Sequence, residues 1–432
     1  MATIATTTTN NGATHPVVGL TATSPTNIAV VKYWGKRDIS LNLPINSSVS
    51  VTLDQSDLKT ITTVTASTGF TSKGDRLWLN GTEEDVASNR RLVVVFREMR
   101  RLAREAPQSV RDGALVKDAD AVSFWVKSRN TFPTAAGLAS SASGYACLTF
   151  ALSRLLGLET TPEVTAVARQ GSGSACRSLF GGFVRWSMGD KADGTDSVAS
   201  QVAPAEHWPE MEALIMVASK AKKHTSSTSG MMTSVETSAL LAHRAATVVP
   251  ERMAQMEAAY MSKDFESFGE LTMRDSNQFH ATCLDTYPPI FYMNDVSRQV
   301  ANAVHTINSG YGKLVAAYTY DAGPNAVIYV LKENALDVLA LLLLAFPPAD
   351  GEAQNQGVVG GSGGVGGGYV LSSQVEETMQ MVHADVPSAN NTELVEKMKS
   401  ISEKGRLIQI IHTRVGPGPR VIDAETETFW EE

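Results

Sequence analysis

Residues 46–53 alternate apolar side chains with small polar ones, so that Val49, Val51 and Leu53 fall on one face. A two-residue period of this kind is typical of a half-buried strand. Similar patterns predict further strands at residues 59–65, 77–79, 122–128, 214–218, 314–319 and 326–331. The Asn80-Gly81 pair predicts a tight turn, and the last two strands predict a hairpin around the turn at residues 321–325.

Apolar residues recur at helical spacing in other segments. They predict a helix at residues 86–103, a second in the segment that follows residue 142, and longer helical stretches at 250–281 and 294–308. Another helix is expected to begin at Pro162, since a capping threonine precedes this proline and an acidic residue follows it.

A chain of 432 residues is too long for one core of ordinary size, so two closely packed domains are expected. We predict them at residues 17–210 and 211–432. Residues 1–16, rich in Thr and Asn, predict a flexible tail. Residues 357–368 are dominated by glycine without a following Lys-Ser/Thr, which predicts a flexible insertion in a surface loop of the second domain.

The formal net charge of −8 argues against a general affinity for nucleic acid or anionic membranes, although a local basic pocket remains compatible with it. The longest apolar run, at 338–346, is far shorter than the ~20 residues of a membrane helix, and the tail lacks the pattern of a secretory signal. Three cysteines fit a reducing compartment, and eight histidines without ligand spacing predict no metal ligands. We therefore expect a cytoplasmic protein without a nucleic-acid or membrane partner.

A loop of small residues at 133–142 is the first segment that predicts chemistry. It leads into a helix N-terminus, whose free N–H groups and positive dipole end favour phosphate. Ser140 and Ser141 add hydroxyls that could bind phosphate oxygens or Mg²⁺. For the serines alone, a serine-capped helix after a tight turn is an equally good alternative.

Four blocks of sequence together resemble a known group of enzymes. The loop PTAAGLASSA at 133–142 resembles the nucleotide-phosphate loop of the galactokinase, homoserine kinase, mevalonate kinase and phosphomevalonate kinase superfamily. The other blocks are NIA followed by KYWGK within residues 27–36, GSGSACRS at 171–178, and DAGPNA at 321–326. The combination resembles the diphosphomevalonate decarboxylases, in a eukaryotic and fungal-like form, over residues 21–344.

The resemblance implies an α+β fold of two lobes, the GHMP-type small-molecule kinase fold, with the active site in the cleft between them. It implies ATP-dependent decarboxylation of diphosphomevalonate to isopentenyl diphosphate, CO₂, ADP and phosphate, through phosphorylation of the tertiary hydroxyl. That reaction belongs to the mevalonate pathway of isoprenoid and sterol biosynthesis. ATP would be the co-substrate, Mg²⁺ would bridge its phosphates, and the protein would be a homodimer.

The resemblance also implies roles for individual residues. Asp321 would orient or deprotonate the tertiary hydroxyl, Lys32 would support Asp321, and Arg177 would clamp the carboxylate. The implied diphosphomevalonate-binding residues are Asn27, Tyr33, Trp34, Gly35, Lys36, Arg90, Ser172, Gly173, Ser174, Ala175, Cys176, Arg177, Ser227 and Thr228. The implied nucleotide-binding residues are Ser128, Asn130, Pro133, Gly137, Leu138, Ala139, Ser140 and Ser141.

Several of these residues have a purely structural alternative. Asp321 could bond its own turn, and Asn27 could be a turn former. Lys36, beside another basic residue, could lie on a solvated face, and so could Arg90. Cys176 fits a packed small residue better than a nucleophile, since no histidine lies nearby in the sequence to activate it.

Two other functions compete with decarboxylation. A simple kinase of the same superfamily would stop after phosphorylation, but Arg177 suits a carboxylate that must be expelled. A binding protein without activity is the other alternative. The presence of Lys32, Ser141, Arg177 and Asp321 together argues against it.

Overall fold

The computed structural model describes residues 3–8, 14–131, 140–221, 223–348, 359–360, 369–372, 392–401 and 406–423. The strands within these ranges are β1 (Thr3–Thr8), β2 (Thr14–Pro25), β3 (Asn27–Val31), β4 (Lys36–Asp38), β5 (Leu43–Pro44), β6 (Ser48–Thr52), β7 (Lys59–Ser67), β8 (Arg76–Leu79), β9 (Thr82–Glu84), β10 (Ser123–Asn130), β11 (Phe183–Trp186), β12 (Ala199–Ala203), β13 (Met211–Val217), β14 (Ala316–Tyr320), β15 (Ala326–Leu331), β16 (Val359–Gly360), β17 (Val370–Ser372), β18 (Gln409–Arg414) and β19 (Arg420–Ile422). The α-helices are α1 (Arg90–Glu105), α2 (Gln108–Gly113), α3 (Ser140–Leu155), α4 (Pro162–Gly171), α5 (Ser227–Thr237), α6 (Ala239–His243), α7 (Val249–Ser262), α8 (Phe265–Asp285), α9 (Asp295–Tyr311), α10 (Lys332–Ala345) and α11 (Thr392–Ser400). No helix in these described ranges is both long enough and apolar enough to cross a membrane.

The first sheet has the strand order β1-β2-β7-β10-β8-β9, and β19 pairs with β2 outside this path. Its pairs are antiparallel except for β10 with β8. Helices α1, α3 and α4 pack against this sheet through a core that includes Val64, Phe96, Phe124, Leu152 and Val167. Because β19 lies near the end of the chain, the C-terminal segment returns to the sheet in which the chain began.

The second sheet has the order β12-β11-β6-β3 and the third the order β14-β15-β13-β18-β17-β16. A shared core joins them, with Val51 and Phe183 from the second sheet, Ile215 and Tyr329 from the third, and Phe268 from α8. This core therefore combines side chains from both predicted domains.

The third sheet separates the shared core from a further core. Because neighbouring residues of a strand point to opposite faces, Ile215 of β13 packs in the shared core, whereas Leu214 packs with α9, α10 and α11. β14 and β15 form the predicted antiparallel hairpin. Its turn holds Asp321 at the end of the sheet.

The structure differs from the sequence predictions in three places. The stretch predicted as helix at 250–281 is two helices, because Lys263 adopts a left-handed conformation with φ 56° and Asp264 caps α8. Thr3–Thr8 form a strand inside the predicted flexible tail, as β-branched threonine favours. Within the predicted glycine-rich insertion, Val359–Gly360 form β16, and the rest of 357–368 lies outside the described residues.

Candidate active site

A cavity of about 470 Å³ lies where the ends of several elements meet. These are the end of β3, the start of α3, the start of α5, the β14–β15 turn and a 3₁₀ helix over Gly173–Leu179. The lining residues are Asn27, Ala29, Lys32, Tyr33, Trp34, Lys36, Asn42, Arg91, Ser140, Ser141, Ser172, Gly173, Ser174, Arg177, Lys223, Ser226, Ser227, Thr228, Met231, Phe279, Asp321 and Ala322.

Lys32 and Asp321 form an ion pair at the cavity. Lys32 follows the last residue of β3, and its Nζ donates a hydrogen bond of 2.6 Å to Asp321 Oδ1. The Lys32 side chain is 3% exposed and that of Asp321 29%. Burial lowers the pKa of Lys32, and the charge of Asp321 opposes this shift. The pair thus presents a carboxylate to the cavity, held in place by a buried ammonium group.

Arg177 is a buried cation on the same cavity. Its Nε donates to Asn27 Oδ1 at 3.1 Å and its Nη1 to Ser48 Oγ at 2.6 Å. Asn27 is fixed in turn, because its Nδ2 donates to Ser178 Oγ and to the main-chain oxygen of Ser174. No carboxylate of the described chain forms an ion pair with Arg177. A buried guanidinium without such a partner favours the binding of an anion in the cavity.

Lys36, Arg91 and Lys223 form what we call the cationic group. Arg91 Nη2 donates to Thr228 Oγ1 at 2.9 Å, and Lys223 Nζ donates to Ser227 Oγ at 3.0 Å. Burial, followed by the charge of Arg91, lowers the pKa of Lys36 from 10.5 to about 8. Burial also lowers the pKa of Lys223. Desolvated cations beside hydroxyl groups favour a multiply charged anion such as a diphosphate.

The aromatic residues after Lys32 shape the cavity wall. The Tyr33 ring packs edge-on against Trp186 with centroids 4.6 Å apart, and its hydroxyl has no hydrogen-bond partner among the described residues. Trp34 Nε1 donates to Ser234 Oγ at 2.9 Å. Gly35 has φ +91°, and a Cβ there would lie 2.7 Å from Ile45 Cδ1. Only glycine therefore fits this turn, which leads into β4.

The start of α3 lies beside the 3₁₀ helix. Ser140 and Ser141 are its first two residues and line the cavity. Ser141 Oγ lies 3.4 Å from Ser172 Oγ. The hydroxyls of Ser140 and Ser141 thus lie at the N-terminus of α3, where an anion is stabilised.

Comparison with known proteins adds to this geometry. Residues 24–199 match the diphosphomevalonate decarboxylase-like N-terminal domain, and residues 213–422 match the mevalonate 5-diphosphate decarboxylase C-terminal domain. Diphosphomevalonate decarboxylase from Rattus norvegicus is 50% identical over 404 residues, which cover 94% of this chain and 93% of the relative. This chain belongs to the diphosphomevalonate decarboxylase family.

Solved structures of the family are similar to the whole fold. Mevalonate diphosphate decarboxylase from Trypanosoma brucei has a TM-score of 0.81 and 33% identity, over 95% of this chain and 100% of that chain. A structure of MDDEF in complex with MVAPP, AMPPCP and magnesium has a TM-score of 0.64 and 28% identity, over 94% of this chain and 100% of that chain. The predicted family and its GHMP-type α+β fold are thereby confirmed.

The fold brings together most of the residues that the family resemblance implies. Fourteen of them line the cavity: Asn27, Lys32, Tyr33, Trp34, Lys36, Ser140, Ser141, Ser172, Gly173, Ser174, Arg177, Ser227, Thr228 and Asp321. Ala175 and Cys176 are instead fully buried in hydrophobic clusters and do not line the cavity, and burial raises the pKa of Cys176 to about 12. This places Cys176 as a packed thiol.

Four nucleotide residues implied by the family, Pro133, Gly137, Leu138 and Ala139, lie outside the described residues. Two others lie on β10, away from the cavity lining. Ser128 Oγ hydrogen-bonds Thr62 Oγ1 at 2.9 Å, and Asn130 Oδ1 accepts from Thr60 Oγ1 at 2.6 Å. In the structure these two side chains therefore tie β10 to β7.

Arg90 is exposed and does not line the cavity, whereas its neighbour Arg91 does. The structure thus brings Arg91 rather than Arg90 to the cavity, and the sequence could not show this because the faces of a helix are fixed only when its first residue is known. Sequence reasoning also missed Asn42, Lys223 and Phe279. The one signal for Lys223 in the sequence was its position, three residues before the hydroxyl cluster at 226–228.

Proposed function

We propose that this chain catalyses the ATP-dependent decarboxylation of mevalonate diphosphate to isopentenyl diphosphate, CO₂, ADP and phosphate. One observation carries the proposal: a single cavity joins Asp321 held by Lys32, the buried Arg177, and the cationic group. A substrate with a hydroxyl, a carboxylate and a diphosphate needs these three kinds of partner. The MVAPP complex of the structural relative supports the same substrate class.

Asp321 acts in the first step, which is phosphoryl transfer. It orients the tertiary hydroxyl and takes its proton while the oxygen bonds to the γ-phosphorus of ATP and the bond to ADP breaks. Lys32 holds the Asp321 carboxylate through the 2.6 Å hydrogen bond. Its ammonium group also stabilises the negative charge that develops beside it.

Arg177 acts in the second step, which releases CO₂. The C–O bond to the new phosphate breaks with its electron pair, and the pair of the breaking C–C bond forms the double bond of the product. Arg177 binds the carboxylate and aligns that C–C bond with the departing phosphate. Its Nη2 has no hydrogen-bond partner among the described residues, so this nitrogen is available to the substrate.

The diphosphate is bound by the cationic group and its neighbouring hydroxyls. Lys36 and Arg91 line the cavity together with Lys223, which precedes α5, and with Ser227 and Thr228 in the first turn of α5. Because these groups touch no reacting atom, they supply binding energy and hold the tertiary carbon near Asp321.

The start of α3 suits the phosphates of a nucleotide carrying Mg²⁺. Ser140 and Ser141 offer hydroxyl oxygens, which are suitable ligands for Mg²⁺. The described part of the chain contains no group of three His, Cys, Asp or Glu side chains that could hold a metal. The nucleotide phosphates would thus provide most of the ligands. When bound, Mg²⁺ neutralises phosphate charge during transfer.

We also propose that the protein is a cytoplasmic homodimer. The three buried, unpaired cysteines support a reducing compartment, and the dimer follows from the family resemblance. Light scattering should give twice the 46.2 kDa of one chain, and a mass of one chain would refute the dimer.

The alternative function is a kinase that phosphorylates a smaller alcohol of the same chemical series. The two functions can be distinguished by measuring ADP release with ATP, Mg²⁺ and one of three substrates: mevalonate, phosphomevalonate or mevalonate diphosphate. We expect activity only with mevalonate diphosphate, because the cationic group can bind and position a substrate only through its diphosphate. Asp321→Asn should lower the rate by roughly 10²-fold to 10⁴-fold. Turnover of mevalonate alone, or an Asp321→Asn variant as fast as the wild type, would refute the proposal.

A further inference from the structure

Side chains from outside β3 hold the main chain of Lys32. The pairing of β3 with β6 ends at Val31, so the strand ladder does not satisfy the next residue. Lys32 N donates to Asp275 Oδ1 at 2.8 Å. Lys32 O accepts from Asn46 Nδ2 at 3.0 Å and from Arg244 Nη2 at 3.1 Å. Buried main-chain groups need such partners, and here they come from three separate segments.

Two of these side chains form a fully buried ion pair. Arg244 Nη1 donates to Asp275 Oδ2 at 2.9 Å and Nη2 to Asp275 Oδ1 at 2.8 Å, and neither side chain is exposed to solvent. Arg252 also donates to Asp275 Oδ2 at 2.9 Å, and Gln278 Oε1 accepts from both arginines. A buried ion pair adds little net stability compared with apolar packing. The contacts of this pair with the main chain of Lys32 indicate a different role, which is to position that residue.

The local structure aims both members of the pair at Lys32. Asp275 lies on α8 four residues before Phe279, so both face the same side of the helix, and Phe279 lines the cavity. Arg244 begins a π-helical turn over Arg244–Val248, between α6 and α7. A π turn adds a residue and rotates the helix faces that follow, and such turns recur at functional sites.

We infer that Asp275 and Arg244 are positioning residues that hold the main chain of Lys32 and thereby aim its ammonium group at Asp321. The inference rests on the proposed function, in which Lys32 supports the catalytic carboxylate. The long, flexible side chain of Lys32 keeps Nζ in place only if its own main chain is fixed. A displacement of about 1 Å at a reacting group can cost roughly 10²-fold in rate.

The charge of Asp275 offers a second readout. The charged groups that face Lys32 are Asp321, Asp275, Arg177 and Arg244. Near them lies His280, whose pKa burial lowers to about 4, so that it is neutral at neutral pH. Burial lowers the pKa of Lys32, and Asp275 opposes this shift. Asp275→Asn should therefore move the alkaline limb of the kcat profile to lower pH.

The test compares two arginines that share the same carboxylate. Arg244 contacts both Asp275 and Lys32 O, whereas Arg252 contacts Asp275 and not Lys32. We expect Arg244→Gln to lower kcat by roughly 10²-fold with little change in the KM for mevalonate diphosphate, and Arg252→Gln to stay within about threefold of the wild type. Thermal unfolding of both variants separates loss of fold from loss of alignment.

A double variant shows whether Arg244 acts through Lys32. In a Lys32→Met background, Arg244→Gln should lower the remaining rate no further, because the group that it positions is gone. If Arg244→Gln does not fold, Arg244→Lys serves instead, since lysine keeps the positive charge beside Asp275 but is one bond shorter than arginine and lacks its second terminal nitrogen. Equal losses for the variants of Arg244 and Arg252, or an undiminished loss in the Lys32→Met background, would overturn the inference. A wild type that releases no CO₂ would instead refute the proposed function.

Discussion

Lys36 combines partial burial with a nearby positive charge. Burial is the larger influence, the charge of Arg91 is the second, and together they lower the pKa of Lys36 from 10.5 to about 8. A lysine whose pKa is lowered loses its positive charge as the pH rises through that value. The cationic group therefore weakens at mildly alkaline pH, where an ordinary lysine would still be charged.

This shift predicts that the binding of mevalonate diphosphate depends on pH. The dissociation constant of the wild type should rise between pH about 8 and about 10, because neutral Lys36 no longer attracts the diphosphate. Lys36→Arg should show a much smaller rise, since arginine stays protonated over this range. Titration calorimetry of both proteins measures the difference. The same rise in both would remove Lys36 from the diphosphate site.

At the scale of an element, α1 begins with two arginines that point in different directions. Its cap, Asn89, accepts hydrogen bonds from the main-chain nitrogens of Arg91 and Leu92. Successive residues of an α-helix are rotated by about 100°. This rotation leaves Arg90 exposed and turns Arg91 toward Thr228 and the cavity.

The two arginines give a matched pair of variants. Loss of a hydrogen bond to a charged group costs about 1.5–3 kcal/mol, so Arg91→Ala should raise the KM for mevalonate diphosphate by roughly 10-fold to 100-fold. Arg90→Ala should change it by less than about threefold, as expected of an exposed charge. Steady-state kinetics of both variants measures the two KM values. A larger effect from Arg90→Ala would contradict the placement of this helix.

The start of α3 carries a separate prediction for the nucleotide. Ser141→Ala should raise the KM for ATP by about tenfold, the effect of one lost hydrogen bond to a charged phosphate, with a smaller effect on mevalonate diphosphate. Ser140→Ala is the neighbouring comparison. Unchanged ATP kinetics in both variants would exclude these hydroxyls from the nucleotide site.

The sequence predicted several strands and helices from their apolar patterns, and it missed others. β7 alternates buried and half-buried residues over its first half, so its two-residue period could be recognised in the sequence. β3 was not predicted, although β6, β13 and β14, which are likewise buried at every position, were. The break between α7 and α8 was missed because Lys263 carries no sequence signal for a left-handed conformation.

At the scale of the whole molecule, the shared core joins the two halves of the chain. Phe268 of α8 is fully buried there and packs against Trp208, Tyr260 and Tyr329. Because the same core supports β3 and the β14–β15 hairpin, it also sets the distance between Lys32 and Asp321. Stability and catalysis are thus linked through this core.

Phe268→Ala should lower the free energy of unfolding by about 3–5 kcal/mol, the usual cost of removing a buried phenyl ring. Phe291→Ala is the control, since that ring is 73% exposed, and it should change the free energy by no more than about 0.5 kcal/mol. Urea unfolding followed by tryptophan fluorescence measures both. Similar values for the two variants would contradict the shared core.

The groups that we propose to be catalytic could be predicted from the sequence because they lie in recognisable motifs. Lys32, Arg177 and Asp321 lie in separate motifs, which the fold brings to one cavity. Arg91, Lys223 and the Asp275–Arg244 pair lie outside these motifs. Their roles depend on contacts between segments that are distant in the sequence, such as the hydrogen bond between Lys32 and Asp275 at a separation of 243 residues. Such contacts leave no local pattern in the sequence.

The central claim is that one cavity both phosphorylates and decarboxylates its substrate. The most direct test is to incubate the wild type with ATP, Mg²⁺ and mevalonate diphosphate labelled at the carboxyl carbon, and to measure labelled CO₂ and ADP in the same sample. The account predicts one CO₂ for each ADP throughout the reaction. ADP formed together with a stable phosphorylated product and without CO₂ would contradict it.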